Sequence, residues 1–322
     1  MYNTHHVKDK PSENLMPRGV PKAGFRLTKN RILNGKVPKS SKTLSNKSFK
    51  IVQEFVTPTV IETDEQIRIK LKNRFSAMDK MTEATVNGVN KSLIISGPAG
   101  LGKSFGVLKI AAKYEKMGRI VTVIKGFVRP TGLYKVLYEN RTKNHVVIFD
   151  DSDSIFGDDI CLNLLKGACD MTRNRTLHWL AETRMEDDGG ERLPTKFDFE
   201  GSIVFITNMD FDAAIEKGSR LAPHFEAMIS RSIYLDLAMH TRRDYMVRIA
   251  MVVEEGMLKE YGLSDFDTAE LLRFVDTNCE VLRELSLRMV LKIAALMRMD
   301  RNDWQNLAKQ TCFRVKHNVG RI

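Results

Sequence analysis

Eight consecutive residues carry the clearest chemistry in the chain: Gly97-Pro98-Ala99-Gly100-Leu101-Gly102-Lys103-Ser104 fits GxxxxGK[ST] at every fixed position. Glycines at this spacing let the backbone curl until successive N–H groups face one anion. A helix starting at the lysine adds the positive end of its dipole. In such a loop Lys103 reaches the terminal phosphates of a nucleoside triphosphate, the Ser104 hydroxyl ligates Mg²⁺, and Phe105 completes the set of residues expected to line the nucleotide.

A second run, Val146-Val147-Ile148-Phe149-Asp150-Asp151, is apolar until it ends in two acids. A strand of this kind delivers carboxylates to the rim of a sheet, where nucleotides bind in open α/β folds. Asp150 is expected to hold the metal, directly or through water, and Asp151 to orient or deprotonate the attacking water.

The elements that must position these groups can be read from hydrophobic period. A helix is expected from the Thr63-Asp64 cap, with Ile67, Leu71, Phe75, Met78 and Met81 at helical spacing, ending near Asn87-Gly88. Strands are expected at Leu93–Ser96, Ile120–Ile124, Val146–Phe149, Ile203–Thr207 and Ile233–Leu237, with helices over 103–117, from Pro130 to Tyr138 and from Cys161 to Cys169. Short apolar strands alternating with helices imply a parallel sheet covered on both faces. Thr176 to Gly201 is irregular and reads as a projecting hairpin turning at Asp187-Asp188-Gly189-Gly190. Beyond residue 240 only helical periods appear, at 241–260, 265–277, 286–299 and 303–313.

On the loop, the acidic strand and this alternation, the chain resembles the AAA+ ATPases, in the style of those encoded by tailed phages. The resemblance spans about residues 60–315. It implies an α/β P-loop NTPase core over residues 51–238 and a small all-α lid over 239–322, with ATP and Mg²⁺ as substrate and cofactor. It also implies further site residues. Asn208, ending Ile203-Val204-Phe205-Ile206-Thr207-Asn208, is similar to the sensor-1 residue that helps place the water. Arg231, in Met228-Ile229-Ser230-Arg231-Ser232-Ile233, is similar to the arginine finger that reaches a neighbouring subunit, with Arg220 as its rival. Arg288, in Leu285-Ser286-Leu287-Arg288, is similar to sensor 2 of the lid. One departure stands out: most members carry Asp-Glu where this chain has Asp150-Asp151. The shorter side chain requires a closer water or a shifted backbone, and fits a slow turnover.

Net charge bears on the partner. The formal charge is +11, but residues 1–50 hold 12 Lys and Arg against Asp9 and Glu13, while the remainder carries 39 basic and 38 acidic side chains. The basicity therefore belongs to a tail. Its Pro, Ser, Asn and Lys content cannot bury enough apolar surface to offset ordering entropy, so disorder is expected there. Ile51 to Val60 reads as a short strand or docking segment. No apolar stretch approaches the roughly 18–20 residues of a membrane helix, and no secretory signal is recognisable. Four separated cysteines suit a reducing cytosol, that of the host if the chain is phage-encoded.

A finger acting across a boundary implies self-assembly, by resemblance a hexameric ring or spiral. The loop Lys125-Gly126-Phe127-Val128-Arg129 is the candidate grip on a polymer, with an aromatic suited to peptide and cations suited to phosphate. Three tasks follow: a nucleic-acid motor or remodeller, favoured by the tail, with DNA as partner; a protein-remodelling, unfoldase-like chaperone; and an assembly protein switched by ATP.

Overall fold

The structure, a computed structural model, describes residues 62–181, 185–186 and 189–314, all within one compact unit. The expected basic tail, the segment Ile51–Val60 and the Asp187-Asp188 part of the expected turn lie outside the described residues.

Helix α1 (Asp64–Val86) starts at a reciprocal cap: Gln66 N donates to Thr63 Oγ1 while Thr63 N donates to Gln66 Oε1. It buries Ile67, Leu71, Phe75 and Met78. There follow β1 (Ser92–Ser96), α2 (Lys103–Glu115), β2 (Ile120–Lys125), α3 (Pro130–Glu139), β3 (His145–Asp150) and α4 (Asp159–Ala168). Next come β4 (Thr176–His178), β5 (Lys196–Asp198), β6 (Ser202–Thr207), α5 (Phe211–Glu216), α6 (Ala222–Arg231) and β7 (Ile233–Asp236). Helices α7 (Arg242–Glu254), α8 (Asp265–Thr277), α9 (Leu287–Met299) and α10 (Trp304–Cys312) finish the described chain.

Five strands form one parallel sheet in the order β2-β3-β6-β1-β7. Alternate residues of each strand pack on opposite faces, as the pleat requires. Ile94, Val147, Phe149, Ile203 and Phe205 meet α3, α4 and α6. Leu93, Ile95, Val146, Ile148, Val204 and Ile206 meet α1, α2 and, through Val247 and Met251, α7. With both faces covered, β1 and β6 are buried throughout. The fold is thus the expected α/β P-loop NTPase type, a parallel sheet with helices on both faces. A separate apolar cluster, including Ile249, Phe274, Val290, Ile293 and Trp304, holds α7 to α10 together.

The sheet order fixes the site. Parallel strands bring their carboxyl ends to one edge, and β6 lies between β1 and β3. Whatever follows Thr207 must therefore stand between the residues following Ser96 and those ending β3.

Two features differ from the reading of the sequence. The stretch 208–231 contains α5 and α6, which it did not anticipate. The first is only six residues long, and the second follows Leu221, which offers no capping side chain. The hairpin β4–β5 exists, but its base does not project freely. Phe197 packs edge-on against Tyr134 and Tyr138 of α3, and Tyr134 Oη donates to Pro194 O at 2.9 Å.

Candidate nucleotide site

The loop between β1 and α2 is held in its curl from outside. Gly97 and Gly100 have φ of 147° and 74°. A Cβ at Gly97 would lie 3.0 Å from Leu237 Cβ, and one at Gly100 only 2.7 Å from Ser286 Cβ. Leu237 N donates to Ser96 O, and Leu287 N to Gly100 O, both at 2.9 Å. The end of β7 and the start of α9 thus grip the loop, and side chains are excluded where they do so. Leu101 anchors it in the core, whereas Phe105 is exposed and lines the cleft.

Lys103 opens α2, yet its side chain folds inward and is only 5% exposed. Its Nζ donates to Gly97 O at 2.5 Å, Pro98 O at 2.8 Å and Asn208 Oδ1 at 3.0 Å. Asn208 passes the connection on, its Nδ2 donating to Asp151 Oδ1 at 3.0 Å. The strand order makes this relay, because Asn208 leaves β6 between the other two. Asp151 is the one non-glycine residue with positive φ, 54°, among the described residues. Left-handed backbone costs an ordinary residue roughly 1–2 kcal/mol, less for aspartate, and turns its carboxylate toward the cleft it lines. Asp150 is 2% exposed and receives the Ser104 hydroxyl at 2.6 Å on one oxygen and Lys125 Nζ at 2.9 Å on the other.

Burial pulls the Lys103 ammonium down to about 8; Asp151 works against the shift and Arg288 adds to it. The ammonium is therefore charged at pH 7 and loses its proton as pH rises past 8. Affinity for a polyanion is expected to hold below that point and to weaken above it, by at most about tenfold per pH unit for one proton. Titrating binding of a fluorescent ATP analogue from pH 7 to 9.5 measures this, and a flat profile would exclude Lys103 as the controlling cation.

A cleft of about 990 Å³ opens over these groups, bounded by α1, α2, α7 and α9. Arg288, from the first turn of α9, lines it with Ala99, Gly100, Gly102, Lys103, Ser104, Asp151 and Asn208. Arg231 and Arg220 do not. Arg231 ends α6, donates to Ala227 O at 2.9 Å and lies 3.7 Å from Asp170. Arg220 is exposed and pairs with Asp159 at 2.8 Å. Within one chain neither arginine joins the other candidates. Arg248 of α7 lines the cleft too and was missed in the sequence, where it reads as one basic position of an amphipathic helix.

Do a triphosphate and Mg²⁺ suit these residues? The positive-φ glycines curl the backbone around the inward ammonium of Lys103, whose carbonyl partners a phosphate's oxygens can replace. Ser104 and Asp150 bring a hydroxyl and a carboxylate oxygen within 2.6 Å of each other, the hard oxygen donors Mg²⁺ prefers. Both fit.

No family model matches the chain. Among solved structures it is similar to NtrX from Brucella abortus in complex with ADP, at 13% identity and a TM-score of 0.44 over 70% of this chain. The chain spans about half of that protein, 51%. It is also similar to the RuvB Holliday junction branch migration motor of Thermotoga maritima, at 13% identity and 0.41, covering 77% of this chain and 69% of that one. A protein of Enterobacteria phage T4, an uncharacterized 36.7 kDa protein in the nrdC-mobD intergenic region, is 40% identical over 252 residues, 77% of this chain and 76% of its own length. At that identity and coverage, a chain built on this P-loop sheet belongs to the family of the phage T4 36.7 kDa protein.

Proposed function

We propose that the chain is an AAA+ ATPase that binds ATP with Mg²⁺ on residues 97–105, hydrolyses it, and works as an oligomer on a polymer, nucleic acid first. The observation that carries this reading is the relay from Lys103 through Asn208 to Asp151, beside the Ser104–Asp150 pair. It sets a cation for the phosphates and a carboxylate for water at one sheet edge, joined by a single amide. In turnover, Lys103 exchanges its carbonyl partners for phosphate oxygens. Asp151 accepts a proton from the attacking water while Asn208 holds that carboxylate in place. Mg²⁺, held by Ser104 and Asp150, would neutralise charge on the phosphate oxygens. Arg288 meets the γ-phosphate from the lid and ties lid position to nucleotide state. Arg231 lies outside its own chain's cleft, which suits a finger serving a neighbour in a hexameric ring or spiral.

Nucleic acid is preferred because the excess of positive charge is concentrated in residues 1–50. A role in phage-type DNA replication or processing, in the host cytoplasm, agrees with kinship to a phage protein. One observation favours a protein substrate instead: Phe127, in the loop after β2, is 76% exposed, while Val128 N beside it is tied to Ser154 Oγ at 3.0 Å. Among the described residues no helix is long and apolar enough to cross a membrane.

Steady-state ATPase measured with single-stranded DNA, duplex DNA and an unfolded protein separates the readings. Stimulation by DNA is expected, with a salt-sensitive loss of DNA affinity on deleting residues 1–50. Stimulation by the unfolded protein alone would transfer the role to Phe127. No turnover under any condition would overturn the ATPase reading.

A further inference from the structure

Arg248 is a buried cation with no counter-ion in contact among the described residues. It sits midway along α7 and is 8% exposed. Its guanidinium lies over the Phe75 ring of α1, with Cζ 3.4 Å from the ring centre. Nε donates to Leu101 O at 3.4 Å, its one hydrogen bond among the described residues, and a Cβ built on Gly102 would lie 3.6 Å from Nη2. Asp79 and Glu255 act on it from beyond ion-pair distance, and burial pulls its pKa down.

A guanidinium carries five N–H donors, and drawing its charge away from water is costly unless something compensates; the Nη groups still reach the open cleft. The Phe75 face supplies part of the compensation. The unused donors border the cleft that Lys103, Ser104 and Arg288 also line. An anion with several acceptor oxygens lying along residues 100–102 would meet them in place of water.

We propose that Arg248 is a third cation, beside Lys103 and Arg288, that binds the polyphosphate chain of the nucleotide, held ready by its stack on Phe75. This rests on the nucleotide-site reading. It makes binding depend on α1 and α7 together, since Phe75 aims the charge that α7 supplies. Arginine serves here better than lysine, because only a planar group can both stack and donate in its plane.

The test uses the full-length chain and three probes: melting without nucleotide, affinity for a fluorescent ATP analogue, and displacement of that analogue by inorganic tripolyphosphate. Arg248→Met keeps a contact with Phe75 and removes the charge. Its nucleotide-free melting temperature is expected to equal or exceed that of the wild type. Its affinities for the ATP analogue and for tripolyphosphate are both expected to fall about 10- to 100-fold. Arg248→Lys should lose less. Unchanged affinities overturn the proposal, and so does a loss confined to the ATP analogue, which would move the contact to the base or sugar. Should Arg248→Met fail to fold, Arg248→Gln carries the same comparison, and wild-type affinity there is equally fatal. If the wild type binds neither probe, the nucleotide site itself is disproved. If it binds both, and Lys103→Ala alone abolishes this, only the role of Arg248 fails.

Discussion

Lys103→Ala lowers affinity for ATP by at least about 100-fold. The ammonium is enclosed by Gly97 O, Pro98 O and Asn208 Oδ1, all oxygen acceptors that a phosphate can replace one for one. Each charge-assisted hydrogen bond to a phosphate is worth about 1.5–3 kcal/mol, so losing two costs roughly two to four powers of ten in binding. The effect on the empty fold is smaller, because two changes oppose each other. The variant removes a buried charge that was costly to desolvate, but it leaves two carbonyls and an amide oxygen short of a donor. Equilibrium binding of a fluorescent ATP analogue, with a thermal melt as control, measures both. A well-folded Lys103→Ala protein that binds ATP as the wild type does would dissolve the site.

The phosphate loop was legible in the sequence because its chemistry is local: spacing alone sets the glycines, the lysine and the serine beside one another. The start of α1 was legible for the same reason, since Thr63 and Gln66 cap each other across one turn. Asp150 could be read from the apolar run that precedes it. That Asn208 joins Lys103 to Asp151 could not, because it depends on β6 entering the sheet between β1 and β3, a pairing of segments far apart in the chain. Only the resemblance to AAA+ proteins pointed to Asn208, Arg231 and Arg288. Arg248 was illegible for a related reason. Val247 packs into the sheet core and Ile249 into the cluster of the C-terminal helices, and a charged residue between them reads as solvent-facing until Phe75 is seen to cover it. Helix α6 escaped notice because no side chain caps its start.

Asp151→Asn is expected to bind ATP about as tightly as the wild type and to hydrolyse it roughly 10²- to 10⁴-fold more slowly, the range a positioned general base supplies. The substitution suits the backbone. Asparagine tolerates the left-handed φ of 54° that would strain most other residues. Its Oδ1 can still accept from Asn208 Nδ2, so the relay to Lys103 survives and only the charge that takes up a proton is lost. Binding and turnover therefore part company here, whereas Lys103→Ala abolishes both. The same variant tests whether the site is completed by a neighbour. Arg231→Ala alone should spare binding and slow turnover; mixed with Asp151→Asn, some junctions pair an intact Asp151 with an intact Arg231 from the adjacent chain. Partial recovery of ATPase on mixing, absent from either variant alone, is the expected result. Failure to recover would turn attention to Arg220, or to a site complete within one chain. An Asp151→Asn protein with undiminished turnover would remove this carboxylate from the chemistry, whatever the arginines do.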